Sequence, residues 1–410
     1  MHEEDIGANV LYNCGNEYVF GSFNPQRGND SSYGLTPLEN VFPPRKFDGT
    51  VIDGPAGTGN SGASKGFYDA SSGRYLHWTW IWEGFANASG STSSIWGWDS
   101  TASVTRELRA DLASQTLVFY PLEELASLRT AQLAAVEGRR LSVGKVTPLI
   151  GSDGTVVQGN TLDIELEVRW AGQASRPAGV GPIPHGRLVL SVLGAEDGSE
   201  ETQVVIDTAY NAGWSTLMPN TDLPCDAAVV KEKGWCDGNC TKPLASAAQC
   251  QAICNANVSC VGFAYIDAQK MCCQKRWVAG KVANPGATAG VKPQIIEQEL
   301  AAALVVDRSR SSTDPTLVQT AAGCSNCTLF APLRPVAGDG ALTLRVLVDV
   351  SVLEAYAMHG RAHIATRAYP HETATSTRVG LGWFPRESGG PAALADVRVH
   401  RMGPGVEWLA

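Results

Sequence analysis

The chain has 410 residues, 44% of them hydrophobic and only 18% charged, which is enough apolar material for large cores in two or more domains. A net charge of -9 and a pI near 5.3 leave no basic surface for phosphates, which argues against nucleic acid and anionic membranes as partners and suits a neutral ligand. No run of about 18 to 20 uncharged apolar residues is present, so the sequence predicts no membrane-spanning helix.

Residues 1 to about 135 read as short β-strands, among them Val10 to Tyr12, Tyr18 to Phe23, Tyr75 to Trp82 and Thr116 to Tyr120, separated by Gly/Ser/Asn turns. That rhythm suits a sandwich, a barrel or propeller blades. Trp78 and Trp80 share one strand face and are expected in the core rather than as a sugar platform. The stretch Leu122 to Gly138 is rich in Ala, Leu, Glu and Arg with apolar residues at helical spacing, which predicts a short helix or linker at a domain boundary. Strands resume over 139–223, as in Thr161 to Trp170, where Leu162, Ile164, Leu166 and Val168 alternate with polar residues, and in Arg187 to Leu193 and Thr202 to Ile206. Between Leu223 and Pro293 the composition turns abruptly to Cys, Ala, Lys and Gln, and from Glu297 the β pattern returns through Leu344 to Val350 and His363 to Ala368. Residues 224–293 therefore read as an insertion, expected at a hairpin tip, where it disturbs few backbone hydrogen bonds.

Eight of the 11 cysteines fall between Cys225 and Cys273, and N-glycosylation sequons stand at Asn29, Asn87, Asn239, Asn257 and Asn326. Both features point to an oxidising compartment, hence a secreted, vacuolar or cell-surface protein. Met1 is followed by His2, Glu3, Glu4 and Asp5, the wrong charge for a signal peptide, so the leader is expected upstream of Met1. A small module over 224–293 needs staples, and Cys225, Cys236, Cys240, Cys250, Cys254, Cys260, Cys272 and Cys273 are its disulfide candidates, with connectivity open. The pairs Cys236/Cys240 and Cys250/Cys254 also have spacing that suits zinc, but the sequons favour disulfides. Cys324 and Cys327 lack a thioredoxin-like context and read as a local loop disulfide.

The segments Gly62 to Asp69 and Arg74 to Glu83 resemble the "YASKSFYD…RRILWGWINE" pattern of glycoside hydrolase family 32. Gly97-Trp98 to Arg106-Glu107-Leu108 and Tyr120 to Arg129 are similar to that family's "GW…S.PREL" and "WPVEEIESLR". Val306 to Ser312, Leu344 to Ala357, and Gly360-Arg361 to Pro370 resemble "VDRSRSS", "LRILVDHSIVESFA" and "GGR…TSRVYP". The resemblance implies a mostly β protein: the last blades of a five-bladed β-propeller plus linker over 1–135, then a two-sheet β-sandwich over 139–223 and 294–405. It also implies hydrolysis of β-fructofuranosidic bonds in sucrose or fructans by a retaining carboxylate pair. The insertion, with "CVGFAY" at Cys260 to Tyr265 and Cys272-Cys273, resembles a PAN/Apple module, which implies a protein or glycan ligand.

The family's nucleophile motif "WMNDPNG", its "RDP" and its "EC" are absent, so no catalytic residue is assigned. Asp53, in Ile52-Asp53-Gly54, resembles the sugar-binding Asp of the family's "DYG" and is the one substrate-binding candidate. Lys65 and Glu83 match family positions without a catalytic role, Lys65 as a partner for a carboxylate. Glu3, Glu4 and Asp5 read as a solvated terminus, and Asp314-Pro315 as a turn. Asp307, Arg308, Asp349, Glu354 and Arg361 are expected to form domain-packing salt bridges. No motif requires a cofactor or metal. The alternative function is a non-catalytic glycan- or protein-binding protein built on the sandwich and the PAN-like module. The purified 410-residue chain is predicted to release no fructose from sucrose in a reducing-sugar assay, because neither carboxylate of the pair can be placed. Fructose release abolished by Asp53→Asn would overturn this.

Overall fold

The computed structural model describes residues 9–13, 17–23, 35–37, 61–81, 100–111, 116–171, 183–208, 218–222, 237–241, 244–256, 262–275, 282–291, 302–314, 328–333, 339–371, 373–385 and 391–403. They fall into two compact units, one of residues 1–209 with 302–410, the other of residues 210–301.

The first unit begins with two antiparallel sheets that do not close into a ring among the described residues. Asn9–Asn13, Glu17–Phe23 and Leu35–Pro37 form one. The other runs Ser61–Asp69, Arg74–Ile81, Arg106–Asp111, Thr116–Pro121, with Thr101–Ala102 added on Arg74–Ile81. On Arg74–Ile81 the buried face is His77, Thr79 and Ile81, whereas Trp80 is 48% exposed and Trp78 half-buried. The expectation that both tryptophans are core is thus corrected. Side-chain size favoured the Trp face, but the layer packed on this blade offers partners to the other one. His77 meets Phe119 edge-on at 5.0 Å, and the Thr79 backbone N–H donates to Ser103 Oγ.

The predicted helix or linker over Leu122 to Gly138 is only a 3-10 turn, Glu123–Leu128, and Arg129–Arg140 is a twelve-residue strand. It pairs with Ala393–Met402 at the edge of a sheet, with Ala134 its one fully buried side chain, so it carries no strand-like alternation. Pairing with a neighbour overrides local propensity there. The sandwich accordingly starts at Arg129, ahead of residue 139.

Its two six-stranded antiparallel sheets are ordered Thr147–Pro148, Arg378–Pro385, Gly186–Gly194, Thr202–Asp207, Ala302–Asp307, Thr328–Leu333, and Ala362–Arg367, Val352–Ala357, Leu342–Asp349, Thr161–Trp170, Ala393–Met402, Arg129–Arg140. One apolar cluster joins them. Leu162, Ile164, Leu166 and Val168 from the second sheet share it with Leu188, Leu190, Val204 and Ile206 from the first, and Trp170 meets Trp383 edge-on at 5.5 Å. The period-two pattern of Thr161–Trp170 therefore does mark a core strand.

The second unit is a five-stranded sheet, Met218–Asp222, Val282–Val291, Gly262–Ile266, Met271–Lys275, Asp237–Thr241, with the helix Ala247–Ala256. Its small core is Cys250, Cys254, Phe263, Tyr265 and Cys272. Cys250 is bonded to Cys272, and Cys254 and Cys273 are also in disulfides, which leaves none of these four thiols for zinc. The unit interrupts the sandwich between Thr202–Asp207 and Ala302–Asp307, antiparallel neighbours with Asp207 opposite Ala303. It is wider than 224–293 because Met218–Asp222, a strand without cysteine, belongs to its sheet.

Glu200 pins two loops of the sandwich. Its buried carboxylate accepts from Thr313 N (2.6 Å) and Oγ1 (3.0 Å), His371 N (2.9 Å) and Ser376 Oγ (2.6 Å). Burial alone would raise its pKa, but the hydrogen bonds from Ser376, Thr313 and His371 outweigh it and hold the carboxyl below its usual value. A lowered folded-state pKa adds stability that is complete above the unfolded value, about 4.3, and is lost as pH falls below it. Glu200→Gln is expected to cost about 2–3 kcal/mol in urea melts at neutral pH. The gap to the parent chain should narrow on acidification below about pH 4; a gap independent of pH would refute the assignment.

Candidate functional site

The second sheet of the sandwich uses both faces. Val352–Ala357 points Leu353, Ala355 and Ala357 into the core and Glu354 and Tyr356 outward, yet all five are buried, because the blade strands cover the outer side. There Arg106, fully buried, donates from Nε to Tyr356 Oη (3.0 Å) and from a terminal nitrogen to Glu354 Oε2 (2.9 Å). Tyr356 Oη donates to the same Glu354 oxygen (2.5 Å), and Val104 N donates to Oε1 (2.8 Å). Burial drives the Tyr356 pKa well up, with Arg106 opposing and Glu354 adding to the shift, so the phenol stays protonated and serves as donor. Phe119 lies between His77 and His363, at 5.0 and 4.6 Å.

The turn between Val352–Ala357 and Ala362–Arg367 makes a second contact. Met358, His359 and Gly360 all have positive φ, +49°, +55° and +91°. Gly360 is required, because a Cβ there would lie 2.2 Å from the Phe119 carbonyl oxygen. Next to it, Arg361 bridges Asp111 of the blade and Asp339 of the sandwich, each at 2.8 Å.

Away from the blade contact, the same outer face floors a cleft of about 340 Å³. Its walls come from Tyr120, His359 and the polar residues of Thr161–Trp170 and Ala393–Met402. Below it Asp163, fully buried, accepts from Arg345 (3.0 and 2.9 Å) and Arg129 (2.9 and 2.7 Å), and Arg129 also reaches Glu165 at 2.7 Å. At the rim Arg169 pairs with Glu167 and with Asp396. Burial raises the Tyr120 pKa, against the lowering effect of Arg345, and its phenol is neutral in the physiological range. The described residues contain no group of three or more His, Cys, Asp or Glu side chains able to hold a metal ion.

Residues 124–401, more than half of the chain, match the family model "Glycosyl hydrolases family 32 C terminal". The chain belongs to glycoside hydrolase family 32.

Among curated family 32 proteins it is 31% identical over 148 residues to β-fructofuranosidase, insoluble isoenzyme 1, of Daucus carota, covering 35% of this chain and 23% of that one. It is 25% identical over 309 residues to the vacuolar acid β-fructofuranosidase 4 of Arabidopsis thaliana, covering 75% of this chain and 34% of that one. The chain thus spans about a third or less of these relatives. Its fold is that of fructan 1-exohydrolase IIa from Cichorium intybus (TM-score 0.54, 15% identity), over 94% of this chain and 54% of that one.

Of the residues singled out from the sequence, Asp53, Glu83, Glu3, Glu4 and Asp5 lie outside the described residues, as do Cys225, Cys236, Cys260, Cys324, Cys327, Asn29, Asn87, Asn257 and Asn326. Cys240 and Asn239 lie on Asp237–Thr241, where Cys240 is opposite Cys273 in register. Lys65 is exposed on its strand. The expected packing ion pairs are made by Glu354 and Arg361. Arg308 donates to the Arg367 carbonyl, the Asp307 carboxylate accepts from Ser309 N, and Asp349 faces solvent beside its hairpin turn. The sequence reading missed Arg106 and Asp163. Arg106 stands in the "PREL"-like segment, and Asp163 on the polar side of an alternating strand, where exposure is the default reading.

Arg106→Met is expected to destabilise the chain by about 3–5 kcal/mol in urea melts, because Glu354 keeps a buried charge without its partner. Arg106→Met with Glu354→Leu should recover most of that loss; equal losses for single and double variants would show that the pair is uncoupled.

Proposed function

We propose that this chain is the C-terminal part of a β-fructofuranosidase-type hydrolase acting on sucrose or fructans, with its carboxylate pair on blades encoded upstream of residue 1. The observation that carries the reading is a family 32 sandwich whose outer sheet is built around a propeller blade, with Arg106, Asp111 and Phe119 seated on Glu354, Arg361 and His363. In this reading the sandwich holds the last blade at a fixed angle, and a retaining pair tolerates little drift, since its carboxyls must stay about 5–5.5 Å apart. The disulfides of the second unit support an oxidising location, and relatives named insoluble or vacuolar support the cell wall or vacuole. No helix among the described residues is long and apolar enough to cross a membrane.

The test is to read the coding sequence upstream of Met1 and express the extended chain. In-frame "NDPNG", "RDP" and "EC" segments, with fructose released from sucrose or inulin by the extended chain, are the expected result. An upstream region without those segments, or an extended and folded chain that releases no fructose, would overturn the reading.

A further inference from the structure

We propose that Asn239 carries an N-linked glycan, and that this glycan covers the open edge of the five-stranded sheet in the second unit. Asn239-Cys240-Thr241 is an N-x-Thr acceptor inside the strand Asp237–Thr241, the one of the chain's five acceptors that falls on a described strand. Among the described residues that strand pairs on one side only, with Met271–Lys275, and its other side bounds the sheet. An open edge presents a row of unpaired N–H and C=O groups to any other chain, and proteins blunt such edges with proline, charge, bulges or a covering group. The two edges of this sheet differ in that respect. Met218–Asp222, at the far edge, contains Pro219, which removes a backbone donor, and its register slips between Pro219 and Thr221. Asp237–Thr241 has no proline.

The strand register places the acceptor further. Asp237 stands opposite Lys275 and Cys240 opposite Cys273, so Gly238 and Asn239 together face the single residue Gln274. Two residues against one make a β-bulge, which interrupts the ladder and bends the strand locally. The acceptor asparagine thus falls where the edge is already irregular, and a bulky group there hinders a second strand from pairing along this five-residue edge. The reaction is a group transfer from a lipid-diphosphate-linked oligosaccharide. A bond forms between C1 of the first sugar and the Asn239 amide nitrogen, the C1–oxygen bond to the diphosphate breaks, the amide gives up one proton, and the lipid diphosphate leaves. Such donors belong to the secretory pathway, so the proposal rests on the oxidising location argued from the disulfides and not on the hydrolase reading.

The test expresses the 410-residue chain behind a secretion leader in eukaryotic cells. Glycosidase release in heavy-oxygen water then marks each formerly glycosylated asparagine as a labelled aspartate, read by peptide mass spectrometry. Label at Asn239 in most molecules is expected, lost in Thr241→Ala and kept in Thr241→Ser. Thr241→Ala should self-associate, seen as a mass that rises with concentration in light scattering while the parent's does not. Asn239→Lys removes the glycan but puts a charge on the edge, and should stay as dispersed as the parent. Asn326→Gln removes an acceptor outside the second unit and should also stay dispersed. If Thr241→Ala is not secreted, the folded parent is trimmed to one sugar per site, and it should self-associate where equally trimmed Asn239→Lys does not. An unlabelled Asn239 in a secreted, disulfide-bonded chain would overturn the proposal and leave the location standing. A chain that reaches the medium without its disulfides would overturn the location and the proposal with it. A labelled parent that is no better dispersed than Thr241→Ala, or than its own trimmed form, would overturn the edge-covering role.

Discussion

Arg106 and Glu354 sit where charges are most costly, at 0% and 2% exposure between the open sheet that carries Arg106–Asp111 and a sandwich sheet. Each ion loses several kcal/mol of hydration there, a cost the pair recovers only with good geometry and full hydrogen bonding. Both Glu354 oxygens are occupied, one by Val104 N, the other by Arg106 and Tyr356. Replacing the pair by fitted apolar residues would cost the fold little, so its value lies in register. Sliding the blade by one residue would turn Arg106 to its other face and leave Glu354 buried and unpaired. The flanking contacts, Phe119 against Gly360 and Arg361 against Asp111, bind in the same register.

This constraint explains the left-handed turn at Met358–His359–Gly360. Two strands buried on both faces must be joined without pushing a side chain into the blade. Three positive φ values fold the link tightly enough for Gly360 to touch the Phe119 backbone while Met358 drops into the core. It explains the cleft as well. Among the described residues, the blade meets the outer sheet around Glu354, Tyr356 and His363. Beyond them the polar residues of Thr161–Trp170 pair with arginines of the same sheet, Asp163 and Glu165 with Arg129, Asp163 also with Arg345, and Glu167 with Arg169.

Much of this architecture is legible in the sequence where one face is apolar and the other polar. Leu162 to Val168 alternate cleanly, and both their strand and its inward face follow. Legibility fails where a third layer is present, because periodicity reports the polarity of a face and not what covers it. Asp163 reads as a surface residue and is fully buried under two arginines; Trp80 reads as core and is half exposed, while His77 and Thr79 are inside. Edge strands fail for the opposite reason. Arg129–Arg140 is so little buried that helix-favouring composition masks a strand held by one neighbour's hydrogen bonds. The Arg106 and Glu354 contact joins residues about 250 apart, and no local pattern encodes it. A family resemblance singled out Glu354 but not its partner.

The inserted unit raises a different question, how a hairpin survives the addition of residues 208–301 between its strands. Closing a flexible loop of that length instead of a four-residue turn would cost about 3 kcal/mol in chain entropy. The topology of the insert avoids about half of this. Its first strand, Met218–Asp222, pairs with its last, Val282–Val291, with Met218 opposite Ala289, so the folded unit delivers its two ends side by side. Only the connections 208–217 and 292–301 then need closing, each about twice as long as a typical loop. That economy exists only while the insert is folded, and its apolar core is little more than Phe263, Tyr265 and three cysteines. The Cys250–Cys272 disulfide, closing a 22-residue separation, ties the helix to the central strands and constrains the unfolded insert. That disulfide acts inside the unit that keeps the two ends together, and so works against the loop-closure cost that residues 208–301 impose.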